Sequence, residues 1–177
     1  DKGDKGDKRD KGDKGPKAQL TEREAAILAR LSGGSVSAAV EFAEQDIVKY
    51  RDKNLEFLRS LGGRTPAELL TKAEALADRN DRSQVEIFVR LGLLWLRDLL
   101  LLKCGGRESD LAYADLAGEL RREAEGLELT EIRRRAEILE EVVSSMQSNV
   151  DMSLLLSASF LRLAGVVGAE RPFTTRE

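Results

Sequence analysis

Apolar residues recur at helical spacing along most of this chain, and no stretch alternates apolar and polar at every second position. Thr21 and Glu24 are spaced as a capping box ahead of "AAILARL", and Gly33 and Gly34 stop that helix. Ser35 then restarts the chain. Val36, Val40, Ala43, Ile47 and Tyr50 keep one face, and Phe57, Leu58 and Leu61 extend it to Gly62 and Gly63, which predicts one long helix capped by Ser35. Thr65, Pro66 and Glu68 mark the next start, of a helix running to about Arg79.

Residues 85–102, "VEIFVRLGLLWLRDLLLL", are the most apolar segment. Glu86, Arg90, Arg97 and Asp98 inside it argue against a membrane span, since one central charge costs roughly 2.5–3.5 kcal/mol on insertion scales. Glu86, Arg90, Leu93 and Arg97 share one narrow face, the pattern of a central helix wrapped by neighbours with a single polar strip outward. Asp98 falls instead among Ile87, Leu91, Leu94 and Leu101, where a charge needs a partner, an arginine of this chain or of a neighbouring subunit. A further helix is predicted from Asp110 to Glu125. Thr130 is expected to cap "EIRRRAEILEEVVSSMQ", and Asp151 to cap "DMSLLLSASFLRLAGVV". With proline confined to positions 16, 66 and 172, the expectation is an all-α bundle of six or seven helices.

The first seventeen residues, "DKGDKGDKRDKGDKGPK", stand apart: seven Lys or Arg against five Asp, with nothing to bury, read as a low-complexity solvated linker or tail. Glycine falls every third position, but Arg9 and Ala18 occupy slots where a collagen triple helix admits only glycine. The remainder, within 177 residues that are 41% hydrophobic, suffices for one sizeable core. Charged residues make up 34% and nearly balance at net −3, so no overall field favours nucleic acid or an anionic membrane surface. With one cysteine, Cys104, and no histidine, an internal disulfide and the Cys/His zinc sets are out of reach, and the chain reads as intracellular, cytoplasmic and metal-free.

The missing histidine also closes Ser-His-Asp and Cys-His catalysis and a Glu-x-x-His di-iron bundle. The Glu140–Glu141 pair sits beside arginines on a solvated helix face. Arg133, Arg134 and Arg135 form a basic run without interleaved aromatics for base stacking, and so read as another solvated face. Trp95 reads as core. A cofactor-free enzyme would need carboxylates converging in a deep cleft. No catalytic residue, cofactor, metal or small-molecule substrate is expected.

Glycine pairs followed by a helix N-terminus can cradle a phosphate. Gly33 and Gly34 follow a helix rather than a strand, and the chain has no Gly-x-x-x-x-Gly-Lys-Ser/Thr loop, so the pair reads as a helix–helix joint. The string "LARLSGGSVSAAVEFAE" resembles the last two helices of the lid domain in bacterial clamp-loader subunits. "LLWLRDLLLLKCGG" resembles the central collar helix of the delta-prime type of DNA polymerase III clamp-loader subunit, and "SNVDMSLLLSASFLRL", with Asn149 at its opening turn, resembles the final helix. Their order and spacing along one helical chain carry the likeness.

The resemblance implies that residues 18–46 are the last helices of an AAA+ lid-like domain, that 47–170 form the collar domain, and that 171–177 are a C-terminal tail. A nucleotide-binding-like domain is expected upstream. Where ATP-hydrolysing relatives carry a sensor arginine after the Gly-Ser, Ser37 stands here, which fits a subunit that does not power the cycle. The implied function is non-catalytic oligomerisation: holding the loader ring together for sliding-clamp loading in DNA replication. Its partners would be the other clamp-loader subunits and, indirectly, the sliding clamp and primed DNA, with no membrane. Ser35, Trp95, Arg97, Asp98 and Asn149 are the candidate structural or interface residues. The alternative is a generic helical scaffold or adaptor without a replication role.

Overall fold

The structure, a computed structural model, describes residues 20–44, 47–77 and 82–167. Among these residues it is all-helical, with eight α-helices: α1 (Glu22–Leu31), α2 (Val36–Glu44), α3 (Ile47–Ser60), α4 (Pro66–Ala77), α5 (Arg82–Lys103), α6 (Ala117–Gly126), α7 (Leu129–Ser145) and α8 (Met152–Leu163). The expected all-α bundle is what forms. The helix predicted from Ser35 to Leu61 is described as two pieces, α2 and α3, and its middle, residues 45–46, lies outside the described residues, as do the tail at 1–17, the end of the helix predicted to Arg79, and the C-terminal tail.

Three predicted starts form as written. Thr21 accepts from the Glu24 N–H while the Glu24 carboxylate accepts from the Thr21 N–H. Thr65 and Glu68 make the same exchange, and Asp151 accepts from the Leu154 N–H at 3.0 Å. The start of α7 differs: Thr130 lies inside the helix and Glu128 is the residue before its first turn, without a side-chain cap.

The glycine joint resolves into a Schellman motif. Gly33 and Gly34 both have positive φ, 61° and 85°, with their N–H groups returning to the carbonyls of Arg30 and Ala29. The Ser35 N–H returns to Ser32, so none of the three donors is left to cradle an anion. Ser35 then caps α2, with Oγ 3.4 Å from the Ala38 nitrogen and 3.1 Å from Ser37 Oγ.

The long helix α5 is the axis of the bundle. It packs against α3, α6 and α7, while α8 closes over α4 and α7. Gly92 lets α5 and α7 approach: a Cβ there would lie 2.8 Å from Leu139 Cδ1 and 3.1 Å from Leu58 Cδ1. Phe57, Phe88 and Phe160 pack as a tilted triad, centroids 4.9–6.1 Å apart, where α3, α5 and α8 meet.

The helix predicted from Asp110 to Glu125 is shorter than expected. Residues 108–110 and 114–116 are single 3₁₀ turns, Leu111 is extended between them, and α6 begins only at Ala117. Leu111, Ala112 and Tyr113 are buried, so this segment plugs into the core instead of coiling over it.

Because open space surrounds Gly33, its substitution reports backbone strain alone. Gly33→Ala is expected to destabilise the protein by roughly 1–2 kcal/mol through the left-handed conformation, whereas Ser35→Ala, with its long cap bond, falls near the low end of about 0.5–2 kcal/mol. Urea unfolding followed by circular dichroism measures both, and a Gly33→Ala variant as stable as the parent would mean the joint has another conformation.

Candidate functional site, an apolar groove on the central helix

The organising polar contact lies inside α5. Asp98 has no solvent exposure, and its Oδ2 accepts from the Tyr113 N–H at 2.8 Å while Oδ1 accepts from Arg97 Nη1 at 3.2 Å. The partner expected for this charge is thus mainly a backbone amide of the plugged segment, with an arginine second. Burial raises the Asp98 pKa above its ordinary value, opposed by the amides of Tyr113 and Ala112 and by Arg97.

Tyr113 carries the contact outward. Its hydroxyl donates to the Leu91 carbonyl at 2.9 Å, and its ring meets Trp95 edge-on with centroids 5.3 Å apart. Burial raises the Tyr113 pKa, so the hydroxyl stays protonated and donating. Arg51 of α3 lies over the same ring, 5.5 Å from its centroid, and grips Asp115 with two bonds of 3.0 and 2.8 Å. Burial opposes the Arg51 charge, but Asp115 and Asp52 outweigh it and the guanidinium stays ionised. Trp95, core as expected, donates Nε1–H to Glu123 at 3.3 Å.

The exposed strip predicted on α5 is present: Glu86, Arg90 and Arg97 are exposed and Leu93 is half-buried. It forms one wall of an apolar groove of about 560 Å³ between α5 and α7. Leu94, Leu96 and Leu100 continue that wall, and Ile132, Ala136, Glu140 and Val143 of α7 face it. Leu100 and Val143 are 37% and 39% exposed. The two helices run antiparallel, since Arg82 at the start of α5 donates to the Met146 carbonyl just past the end of α7. Glu86, Arg90 and Glu140 therefore gather at one end of the groove and Arg97 stands at the other.

Arg97 is held on the rim by Asp98 and by the Asp110 carbonyl at 3.5 Å. Beside it, Arg30 donates to the carbonyls of Ser109 and Leu111 at 3.2 and 3.3 Å, locking the glycine joint onto the plugged segment. Ser35 and Ser37 lie exposed just past this joint, and Asn149 is exposed in the turn before α8, apart from the groove. Sequence reasoning missed Arg51, Tyr113 and Val143. Arg51 had a signal, since Ile47, Arg51 and Leu55 fall four apart on one face of α3.

The basic run at 133–135 divides between tasks. Glu131 accepts from Arg134 and Arg135, and Arg134 Nη1 donates to the Arg162 carbonyl at 2.7 Å, tying α7 to the last turn of α8. Only Arg133 points outward, 3.9 Å from Glu137. The Arg134 hydrogen bond is the main force holding the Glu131 carboxyl down at about 2.

Among the described residues no group of His, Cys, Asp or Glu is placed to hold a metal ion, and no helix is long and apolar enough to cross a membrane. The arrangement offers an apolar floor, charged rims and a buried polar lock behind one rim. Comparison with protein families, with curated proteins and with solved structures finds no match.

Two titration predictions follow from these contacts. Asp98 has a folded pKa above its ordinary 3.8, so its contribution to stability is full below 3.8 and is lost as pH rises through the folded value. Asp98→Asn should therefore gain stability relative to the parent as pH rises through that window, while Asp98→Ala, which strands the Tyr113 N–H, should lose about 1–3 kcal/mol. A parent-to-Asn difference that is flat with pH would show that Asp98 does not titrate abnormally.

Glu131 has the opposite sign. Its folded value of about 2 lies below the ordinary 4.5, so its contribution is present above 4.5 and is lost as pH falls towards 2. Glu131→Gln should cost about 1 kcal/mol at neutral pH and flatten the acid limb of the stability profile; an unchanged limb by urea titration would rule the triad out as its source.

Proposed function

We propose that this chain is a non-catalytic assembly domain, the collar region of a clamp-loader subunit of the delta-prime type, which holds neighbouring subunits in a ring for sliding-clamp loading during DNA replication. The observation that carries the reading is where the three resembling segments fall in the bundle. "LARLSGGS" spans the α1–α2 joint, "LLWLRDLLLL" lies on the central helix α5, and "SNVDMSLLL" opens the last helix α8. A hairpin, an axial helix and a closing helix thus follow one another in one helical bundle, the order that the resemblance implies.

The surface chemistry agrees with such a task. The charged groups near the core are paired with backbone or with one another, and the apolar groove of about 560 Å³ between α5 and α7 is open, suited to another protein surface. At the glycine joint the N–H groups are spent within the chain and Ser37 stands in place of a cation. That composition suits a member of the ring that does not sense nucleotide.

The test is co-purification of this chain with the collar regions of the other clamp-loader subunits from the same organism, followed by mass measurement of the complex. The expected result is a hetero-oligomer, with the chain alone monomeric or weakly self-associated. Failure to capture those subunits, or a tight closed homodimer, would leave a helical scaffold with no replication role.

A further inference from the structure

We propose that the α5–α7 groove receives an amphipathic helix of an unlike neighbouring subunit, about four turns long and running parallel to α5. The inference rests on the reading of the chain as an assembly domain and specifies which surface assembles and what it takes.

The shape of the groove selects a helix. Its α5 wall runs from residue 86 to residue 100, about 21 Å at 1.5 Å per residue. Both walls are helices whose backbone groups are bonded internally, so the floor offers no ladder to an extended segment, which would have its own N–H and C=O groups to satisfy. A helix brings those bonds with it. It needs only an apolar stripe at i, i+4, i+7 and i+11 to lie on Leu93, Leu96, Leu100, Ala136 and Val143.

Charge sets its direction. Glu86 and Glu140 stand at the end where α5 begins, and Arg97 stands at the other. Arg90 lines the same end as the glutamates, over the Phe42 ring of α2, 4.6 Å from its centroid, and with two carboxylates against one guanidinium that end is still net negative. A helix carries partial positive charge at its N-terminus and negative at its C-terminus, so it is favoured with its start beside the two glutamates and its end beside Arg97. Lysine in its first turn and glutamate in its last would strengthen that choice.

Shape also decides between an unlike subunit and a second copy docked face to face. A two-fold axis places the same surface on both sides, and two grooves do not fill one another. The occupant has to present a ridge.

The experiment uses the whole chain and a fluorescent, hydrocarbon-stapled helical peptide of about fifteen residues, four turns, with leucine on the stripe, lysines first and glutamates last. A counterpart has the lysines and glutamates exchanged. The expected result is binding by fluorescence anisotropy, about fivefold or more weaker for the exchanged peptide, and about tenfold or more weaker for Leu100→Glu and for Val143→Glu. Both side chains are partly exposed, so both variants should melt like the parent. Equal binding of the two peptides, or binding that survives both substitutions, overturns the inference.

The same substitutions separate this inference from the broader one. A hetero-oligomer that persists with Leu100→Glu and Val143→Glu sinks the groove and leaves the assembly reading standing. Discrimination between the peptides without capture of any sister subunit does the reverse. A self-associating chain returned to monomer by Leu100→Glu would place a second copy in the groove and overturn the unlike occupant.

Discussion

A carboxylate stands at full burial in the last third of α5, the longest of the described helices, and the surrounding structure is arranged to satisfy it. Water cannot reach Asp98, and an unpaired charge there would cost several kcal/mol by desolvation. The nearest side-chain cation, Arg97, is half in solvent and takes only one of its oxygens. The other is satisfied by the Tyr113 amide. That contact sits in the non-helical stretch between the turns at 108–110 and 114–116, ahead of the start of α6 at Ala117.

From that contact the bundle is cross-braced in two directions. Inward, Tyr113 meets Trp95 and the Leu91 carbonyl on α5 and lies beneath Arg51, which binds Asp115 on the far side of the same plugged segment and so draws α3 in. Outward, Asp98 and the Asp110 carbonyl fix Arg97 at the end of the groove, and Arg30 fastens α1 to the carbonyls next along. The α1–α2 hairpin, the axial helix and the groove rim therefore share one buried origin. A disturbance at Asp98 would be felt at the rim through hydrogen bonds rather than through loose packing.

The polar devices also mark what the molecule is suited to. Acids and bases near the core are committed to one another or to backbone groups, and each pairing fixes one element against another. The groove between α5 and α7 has an apolar floor that the described residues leave open, with acidic residues towards the start of α5 and Arg97 at the other end. An asymmetric surface of this kind is what a head-to-tail contact uses, because such a contact joins two different faces.

The local order of the chain was legible in its residues. Capping at Thr21, Thr65 and Asp151, the glycine stop at 33–34 and the polar strip along α5 each depend on neighbours within a turn or two, and short-range hydrogen bonding and helical period decide them. The burial of Asp98 was legible too, because it shares a face with leucines. What no spacing discloses is who meets that charge. Residues 110–125 have helical spacing, yet 111–113 lie outside any helix and are buried, with the Tyr113 amide on a carboxylate more than ten positions earlier in the chain. Arg51 and Asp115 meet across sixty-four positions. The groove is likewise tertiary: Glu86, Arg97 and Glu140 read as solvated faces of two separate helices, and only the packing of α5 against α7 joins those faces into one concave site.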